Sequence, residues 1–291
     1  MLAALRAAAG ARRGDRPRVP GRGAMTRVVV VGAGLTGLAA AGVLAARAAT
    51  LLVDRLPAIG GMAGWEDPVA RRLDEAGRAA GVGQLLGTTA LRWQPGRLLL
   101  AAPGDIRWLE ADHLVFAGGT RPATPAELRL AGDRPAGVVP ATVAEHLLGA
   151  RVTLGRDPIV LGVSHWAALV AHRMHLRGAR VRLLGLPGDA RPAWADEWLG
   201  TATPRVVHGR RRIAELEVER EPGGGRERIA CDALVIAAPA RPIRNVEGAV
   251  FGGERVTFIG ETDLAATAAQ IVDRAQAAAR GITLEPGRRV A

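Results

Sequence analysis

Residues 27 to 54 read RVVVVGAGLTGLAAAGVLAARAATLLVD. Four valines run into Gly32-Ala33-Gly34-Leu35-Thr36-Gly37, a small and apolar helical stretch follows, and a second apolar strand closes on Asp54. Few folds accept the order strand, glycine turn, helix, strand, acid. It is the signature of a βαβ unit whose first turn receives a dinucleotide. Gly32 permits the tight turn, Gly34 lets a pyrophosphate approach the backbone, and Gly37 lets helix and strand pack closely. The amide groups at the helix start meet the phosphates with the positive end of the helix dipole. Asp54, 22 residues after Gly32, stands where an acid accepts hydrogen bonds from ribose hydroxyls.

Composition removes several alternatives. With 48% apolar and 23% charged residues over 291 positions, the chain has material for two modest cores and is not of disordered type. The net charge of +11 comes from arginine alone, since the sequence holds no lysine. Schiff-base chemistry through a lysine and a Walker-type phosphate-binding lysine are therefore excluded. The arginines are spread along the whole length rather than clustered, so no nucleic-acid partner is expected. Cys231 is the only cysteine, which excludes an intrachain disulfide, a CxxC redox pair and a cysteine-ligated iron–sulfur cluster. It precedes an apolar strand and is expected as a buried small hydrophobe.

No uncharged apolar run of 18 or more residues is present, so no transmembrane helix is expected. Residues 1–24 lack the apolar core of a secretory signal, which points to the cytoplasm. They are expected to be a disordered arm, or to precede a true start at Met25.

Beyond Asp54, Gly60 and Gly61 open a loop suited to close backbone approach. DPVARRLDEAGRAAG reads as helix, QLLGTTALRW, RLLLAA and DIRWLEA as three short strands, and HLVFAGGTRP as an apolar strand ending in glycines. This order resembles the FAD domain of the two-dinucleotide-binding flavoproteins, the pyridine nucleotide-disulfide oxidoreductase superfamily. HLVFAGGTRP is similar to that family's strand ending in Ala-Thr-Gly, with Ala117-Gly118-Gly119-Thr120 standing here. DALVIAAPARP resembles the second such strand, at the return to the FAD domain, and RVTFIG followed by Glu261 resembles the strand ending in Gly-Asp beside the flavin's ribityl chain. The resemblance covers nearly all of residues 25 to 285. It implies FAD as cofactor, with Gly32, Gly34, Leu35, Thr36, Gly37, Asp54, Arg55, Gly61, Ala117, Gly118, Gly260 and Glu261 as its contacts.

The implied fold is α/β: a Rossmann-like FAD-binding domain, a parallel sheet with a β-meander, split by a smaller inserted NAD(P)-binding-like α/β domain. The first domain is expected over residues 25–123 and 231–285, the insertion over 124–230, and a tail over 286–291. Within the insertion PIVLGVSHWAALVAHRMHLRGARVRLLGL repeats the strand, turn and helix in altered form. Gly162 keeps the tight turn and Ala167 is small, but Ser164 replaces the glycine at the pyrophosphate, and no acid closes the second strand at Leu184-Gly185-Leu186. His165 and Trp166 add two rings at the helix entrance. NAD(P) is thus left open, with Gly162, Ser164 and Ala167 as a possible vestigial turn. PRVVHG, IAELEVER and RERIACD fit a second meander, with a turn at Glu221 to Gly225.

His165, His172 and His175 fall within about 80 degrees of a helical wheel, but no acid or cysteine accompanies them and Leu169 and Leu176 share the face. A polar face is expected, and no metal. Ser164 beside His165 is no nucleophile and base pair, because neighbours at a helix start point apart. The six tryptophans are expected as core or edge anchors, and Arg210 to Arg212 as a solvated face.

No paired carboxylates or nucleophile set stands out, so catalytic residues stay unassigned. RLAGDRPAGVVPATVAEHLL before the altered turn resembles the FAD subunits of opine, hydroxyproline and related amino-acid dehydrogenases and of hydrogen cyanide synthase. That resemblance implies a small amine, imino or amino-acid substrate and a redox partner subunit carrying an iron–sulfur or second flavin centre. An NAD(P)H-dependent flavin reductase and a non-catalytic flavin-binding or scaffold subunit are the alternatives.

Overall fold

The computed structural model describes residues 26–220, 223–260 and 266–284. These residues form two compact units, one of the described residues up to Gly119 and from Pro242 onward, the other essentially Thr120–Arg241. The arm at 1–24, the tail at 286–291 and Glu261 lie outside the described residues.

In the first unit β1 (Arg27–Val31) is followed by helix α1 (Leu35–Ala45) and β2 (Ala49–Asp54). Helix α2 (Pro68–Ala79) leads to β3 (Gly83–Leu86), and β4 (Thr89–Gln94), β5 (Arg97–Ala102) and β6 (Asp105–Glu110) precede β7 (His113–Phe116). β1 pairs in parallel with β2 on one side and β7 on the other. β2 pairs in parallel with β3.

The valine run of β1 is apolar at successive positions because both faces of the sheet are covered. Val28 and Val30 pack with Leu38, Ala40, Leu44 and Leu52 on the helix side, whereas Val29 packs with Trp93, Leu98, Leu100 and Leu114 on the other. The second face is the antiparallel meander β4-β5-β6. Helix α2 starts where Asp67 accepts from the amides of Val69 and Ala70, each at 2.9 Å, with proline at its first position; the side chain satisfies amides that have no intrahelical partner.

One strand expectation is corrected here. QLLGTTALRW is not a single strand: Gly87, with φ +66°, divides it, so that β3 joins the parallel sheet and β4 opens the meander. A positive φ is a conformation glycine adopts without a Cβ penalty, and it turns the chain from one layer to the next.

The second unit opens with β8 (Thr120–Pro122), β9 (Ala131–Gly132) and β10 (Val138–Pro140), then helix α3 (Ala141–Gly149) and β11 (Pro158–Leu161). Helix α4 (His165–His175), β12 (Arg182–Gly185) and β13 (Glu197–Thr201) follow, then β14 (Thr203–His208), β15 (Glu215–Glu219), β16 (Arg226–Ala230), β17 (Ala233–Ile236) and β18 (Ala240–Pro242). A five-stranded sheet has the order β10-β17-β11-β12-β13. Val160, Val235, Trp166, Val170 and Met174 pack on its helix side. The sheet β16-β15-β14-β9 covers the other face through Leu216, Val218 and Ile229 against Ile159, Leu161 and Ile236.

The segment DALVI is a second correction. The sequence reading places it with the return to the first domain, yet β17 sits in the middle of the second sheet, paired in parallel with β10 and β11. Its residues Ala233 to Ile236 are all fully buried, which is the requirement of a central parallel strand with both faces covered. The return follows it: β19 (Val256–Phe258) then adds to the edge of β7 in the first unit.

Helix α5 (Ala268–Arg280) begins with a capping box of Thr267 and Gln270, and its Ala275 and Ala279 pack in the core of α1. None of the helices among the described residues is long and apolar enough to cross a membrane.

Leu44 is fully buried in the helix-side core and Leu176 is 70% exposed. Leu44→Ala is expected to destabilise the first unit by about 2–5 kcal/mol, read as a lower urea midpoint, and Leu176→Ala to stay within about 0.5 kcal/mol of the parent.

Candidate functional site

The glycine turn after β1 lies at the carboxyl ends of the parallel strands, beside the point where strand order runs outward in both directions from β1. Such a switch point leaves a crevice for a ligand. The Gly32 amide donates to Val53 O at 2.8 Å and the Ala117 amide to Val31 O at 2.8 Å, which ties the ends of β1, β2 and β7 together. A Cβ on Gly32 would lie 2.2 Å from Ala117 O, and one on Gly37 1.7 Å from Gly32 O. Both glycines are therefore required by backbone packing, Gly32 also by its φ of +113°.

Gly34 is different. It begins α1 with ordinary φ of −75° and no side-chain cap, and the nearest atom to a Cβ placed there is 3.9 Å away. Nothing in the protein needs the missing side chain, so the open space lies over the uncapped helix start. The amides of Gly34, Leu35, Thr36 and Gly37 have no partner within the helix, which leaves donors and the positive end of the dipole for an anion.

Asp54 ends β2 with its carboxylate clamped to two backbone amides. Its Oδ2 accepts from Ala33 N at 2.6 Å and its Oδ1 from Leu56 N at 2.7 Å. A carboxylate has about four acceptor positions, so each oxygen retains capacity for a further donor such as a ribose hydroxyl. Arg55 follows it, exposed.

The loop after β2 returns to this turn. Gly60 N donates to Ala33 O at 2.8 Å and Gly60 forms a bridge with Gly34. A Cβ on Gly61 would meet Gly34 Cα at 3.0 Å. Met62 and Trp65 on the same loop are 61% and 57% exposed. The part of Gly60 in seating the loop on Gly34 was visible only as a Gly-Gly pair in the sequence.

The other named positions distribute as follows. Ala117 is buried and Gly118 half-buried at the end of β7, where a Cβ on Gly118 would press into the Phe116 ring at 2.4 Å. Gly260 is exposed just past β19. The first-unit residues Gly32 to Gly37, Asp54, Gly60 and Gly61 are thus brought together, with Ala117 against Gly32.

In the second unit the β11 turn repeats this frame. Gly162 N donates to Leu184 O at 2.8 Å and Ala237 N to Leu161 O at 2.9 Å. Ser164 begins α4, and its side chain accepts from Ala167 N. His165, His172 and His175 are all exposed, and no group of three or more His, Cys, Asp or Glu side chains suited to a metal occurs among the described residues. Trp93 and Trp166 are buried anchors and Trp108 lies on the edge strand β6, but Trp65 and Trp194, 57% and 41% exposed, lie in loops, a departure from the expectation of core or edge positions. Arg210, Arg211 and Arg212 are exposed. Cys231 is buried, and burial pushes its thiol up to about 12, so the thiolate needed for redox or nucleophilic work is suppressed.

The family model for pyridine nucleotide-disulphide oxidoreductases matches residues 2–140, just under half of the chain. No curated protein matches by sequence. Among solved structures, Lactococcus lactis thioredoxin reductase has TM-score 0.59 at 16% identity, covering 88% of this chain and 97% of that one. L-Proline dehydrogenase from P. horikoshii has TM-score 0.55 at 15% identity, with 91% of this chain covering 58% of that one. A NAD-dependent persulfide reductase from A. fulgidus has TM-score 0.60 at 16% identity, over 90% of this chain and 60% of that one. At these identities the structures establish the fold. The family match covers the first unit's glycine turn and the start of the second unit, and describes what residues 2–140 are similar to.

The family whose model matches residues 2–140 implies FAD, and the residues present fit its ADP half: an uncapped helix start, an open space at Gly34, and Asp54 with spare acceptor positions. Gly34→Trp places an indole in that space, where the first atom of the side chain meets nothing closer than 3.9 Å. Purified variant is expected to be colourless with an unchanged circular dichroism spectrum, and retention of the parent's flavin absorbance would contradict the assignment.

Proposed function

We propose that the chain is an FAD-dependent dehydrogenase of the cytoplasm that takes hydride from a small amine, imino or amino-acid substrate and passes electrons to a partner subunit bearing an iron–sulfur or second flavin centre. The observation that carries the FAD reading is the pairing of the open Gly34 space with the Asp54 carboxylate at one end of the first sheet. Bound FAD supplies the hydride acceptor and the protein supplies orientation and electrostatics. The free amides at the start of α1 would hold the pyrophosphate and Asp54 would accept from the adenosine ribose, while Asp54 fixes the turn through Ala33 N and the loop at Gly60 and Gly61 closes on Gly34.

The dehydrogenase reading draws support from elimination. The single cysteine is buried with its thiol raised, so a disulfide relay of the kind used by the superfamily's disulfide reductases has no residues to run on. L-Proline dehydrogenase from P. horikoshii shares the fold, which makes cyclic amino acids the first substrates to assay. The second reading, a nicotinamide-dependent flavin reductase, rests on the repeated frame at Gly162.

The two separate under anaerobic conditions. Purified holoprotein is expected to lose its flavin band on adding L-proline, hydroxyproline or an opine, and to keep it with NADH or NADPH. Bleaching by a nicotinamide and by none of the amines or amino acids would reverse the assignment.

A further inference from the structure

The turn at Gly162 is built from the same hydrogen bonds as the turn at Gly32, so the two can be compared atom by atom within one chain. Gly32 N bonds Val53 O and Gly162 N bonds Leu184 O, while Val31 pairs with Val53 and Leu161 with Leu184. The residue after each acceptor is therefore equivalent: Asp54 in the first unit and Gly185 in the second. The position of the ribose-binding acid is held by a glycine.

The space beside that glycine is occupied. A Cβ on Gly185 would lie 2.3 Å from the Trp198 ring, 3.1 Å from Asp189 Cβ and 3.1 Å from Thr201 Cγ2. Trp198 on β13 thus stands where an acid at 185 would project. The nearest acid, Asp189, holds its own loop, accepting from Leu186 N at 2.8 Å. It makes no bond to the glycine turn, whereas Asp54 is tied to Ala33 N.

The phosphate end differs as well. Where Gly34 leaves α1 uncapped, Ser164 Oγ accepts from Ala167 N at 3.3 Å and donates to Ala237 O at 2.7 Å. The hydroxyl consumes a helix-start amide that an incoming phosphate needs, and it bridges the turn to the end of β17. Displacing it leaves the half-buried Ser164 hydroxyl and the carbonyl of the fully buried Ala237 to find new partners, and an unmet buried polar group is costly.

We propose that the second unit is closed to pyridine nucleotides from within, by Ser164 at the phosphate position and by Gly185 with Trp198 at the ribose position. This goes beyond the FAD assignment, which concerns the first unit alone. It also means that electrons reach and leave the protein without a nicotinamide seated on this turn. The residues of the turn act instead as a structural joint between β11, β17 and α4.

Amide hydrogen exchange of FAD-loaded protein, with and without about 1 mM NADH or NADPH, a concentration that fills a site of Kd 100 µM about nine-tenths, tests this without a variant. Peptides covering 158–190 are expected to exchange at the same rate in all three samples. Slowed exchange over 162–168 that saturates with either nucleotide overturns the proposal. The flavin absorbance, read on the same samples, reports the first-unit assignment separately: loss of FAD from the starting material would count against that assignment and not against closure of the second turn.

Discussion

The missing side chains at Gly32 and Gly37 are the constraint on which the first unit depends. A Cβ at either would lie about 2 Å from a backbone oxygen, 2.2 Å at Gly32 and 1.7 Å at Gly37. Helix α1 can therefore sit directly over the end of β1, and its start points at the crevice beside the central strand. The rest follows from that seat. Ala39, Ala40 and Ala41 of α1 bury against the valines of β1, Ala275 and Ala279 of α5 join the same core, and Asp54 comes within 2.6 Å of Ala33 N. One close approach thus sets core, helix layer and site together.

The chain contains the same frame twice and spends it differently. In the first unit the open glycine, the uncapped helix start and the acid leave unused bonding capacity facing one crevice. In the second the corresponding capacity is satisfied internally: a serine caps the helix and bridges to Ala237, and an indole fills the acid's place. Both arrangements are stable folds of a βαβ turn, which is why fold alone does not settle how many nucleotides such a chain holds. Arginine as the sole cation and a single raised thiol further narrow the chemistry the protein can perform without a bound group.

Much of the first unit can be read directly from the sequence because its signals are local. Glycine spacing, the valine run and Asp54 lie within 28 consecutive residues, and the turn they specify forms where expected. The separate strands and helices follow from apolar periodicity, whereas the parallel sheet with its meander and the inserted second α/β unit are what the family resemblance implies. Where reading failed, the determining contact was distant in sequence. Gly87 was hidden inside an apparently continuous strand, and DALVI declares its partners, β10 and β11, only in three dimensions. Trp198 could not be matched to Gly185, since the two meet through the pairing of β12 with β13; the sequence showed only that an acid was missing. The exposure of Trp65 and Met62 beside the glycine turn likewise had no signature beyond the Gly-Gly pair that precedes them.

The central claim is that the first unit holds FAD. Acid or heat release of the cofactor from freshly purified protein, followed by chromatographic identification and quantification against the protein concentration, tests it most directly. FAD at one equivalent per chain is the predicted result. FMN in its place, or a chain that neither carries nor takes up FAD when supplied with it, would contradict the account, because the pyrophosphate at Gly34 and the ribose at Asp54 belong to the adenylate half that FAD possesses and FMN lacks.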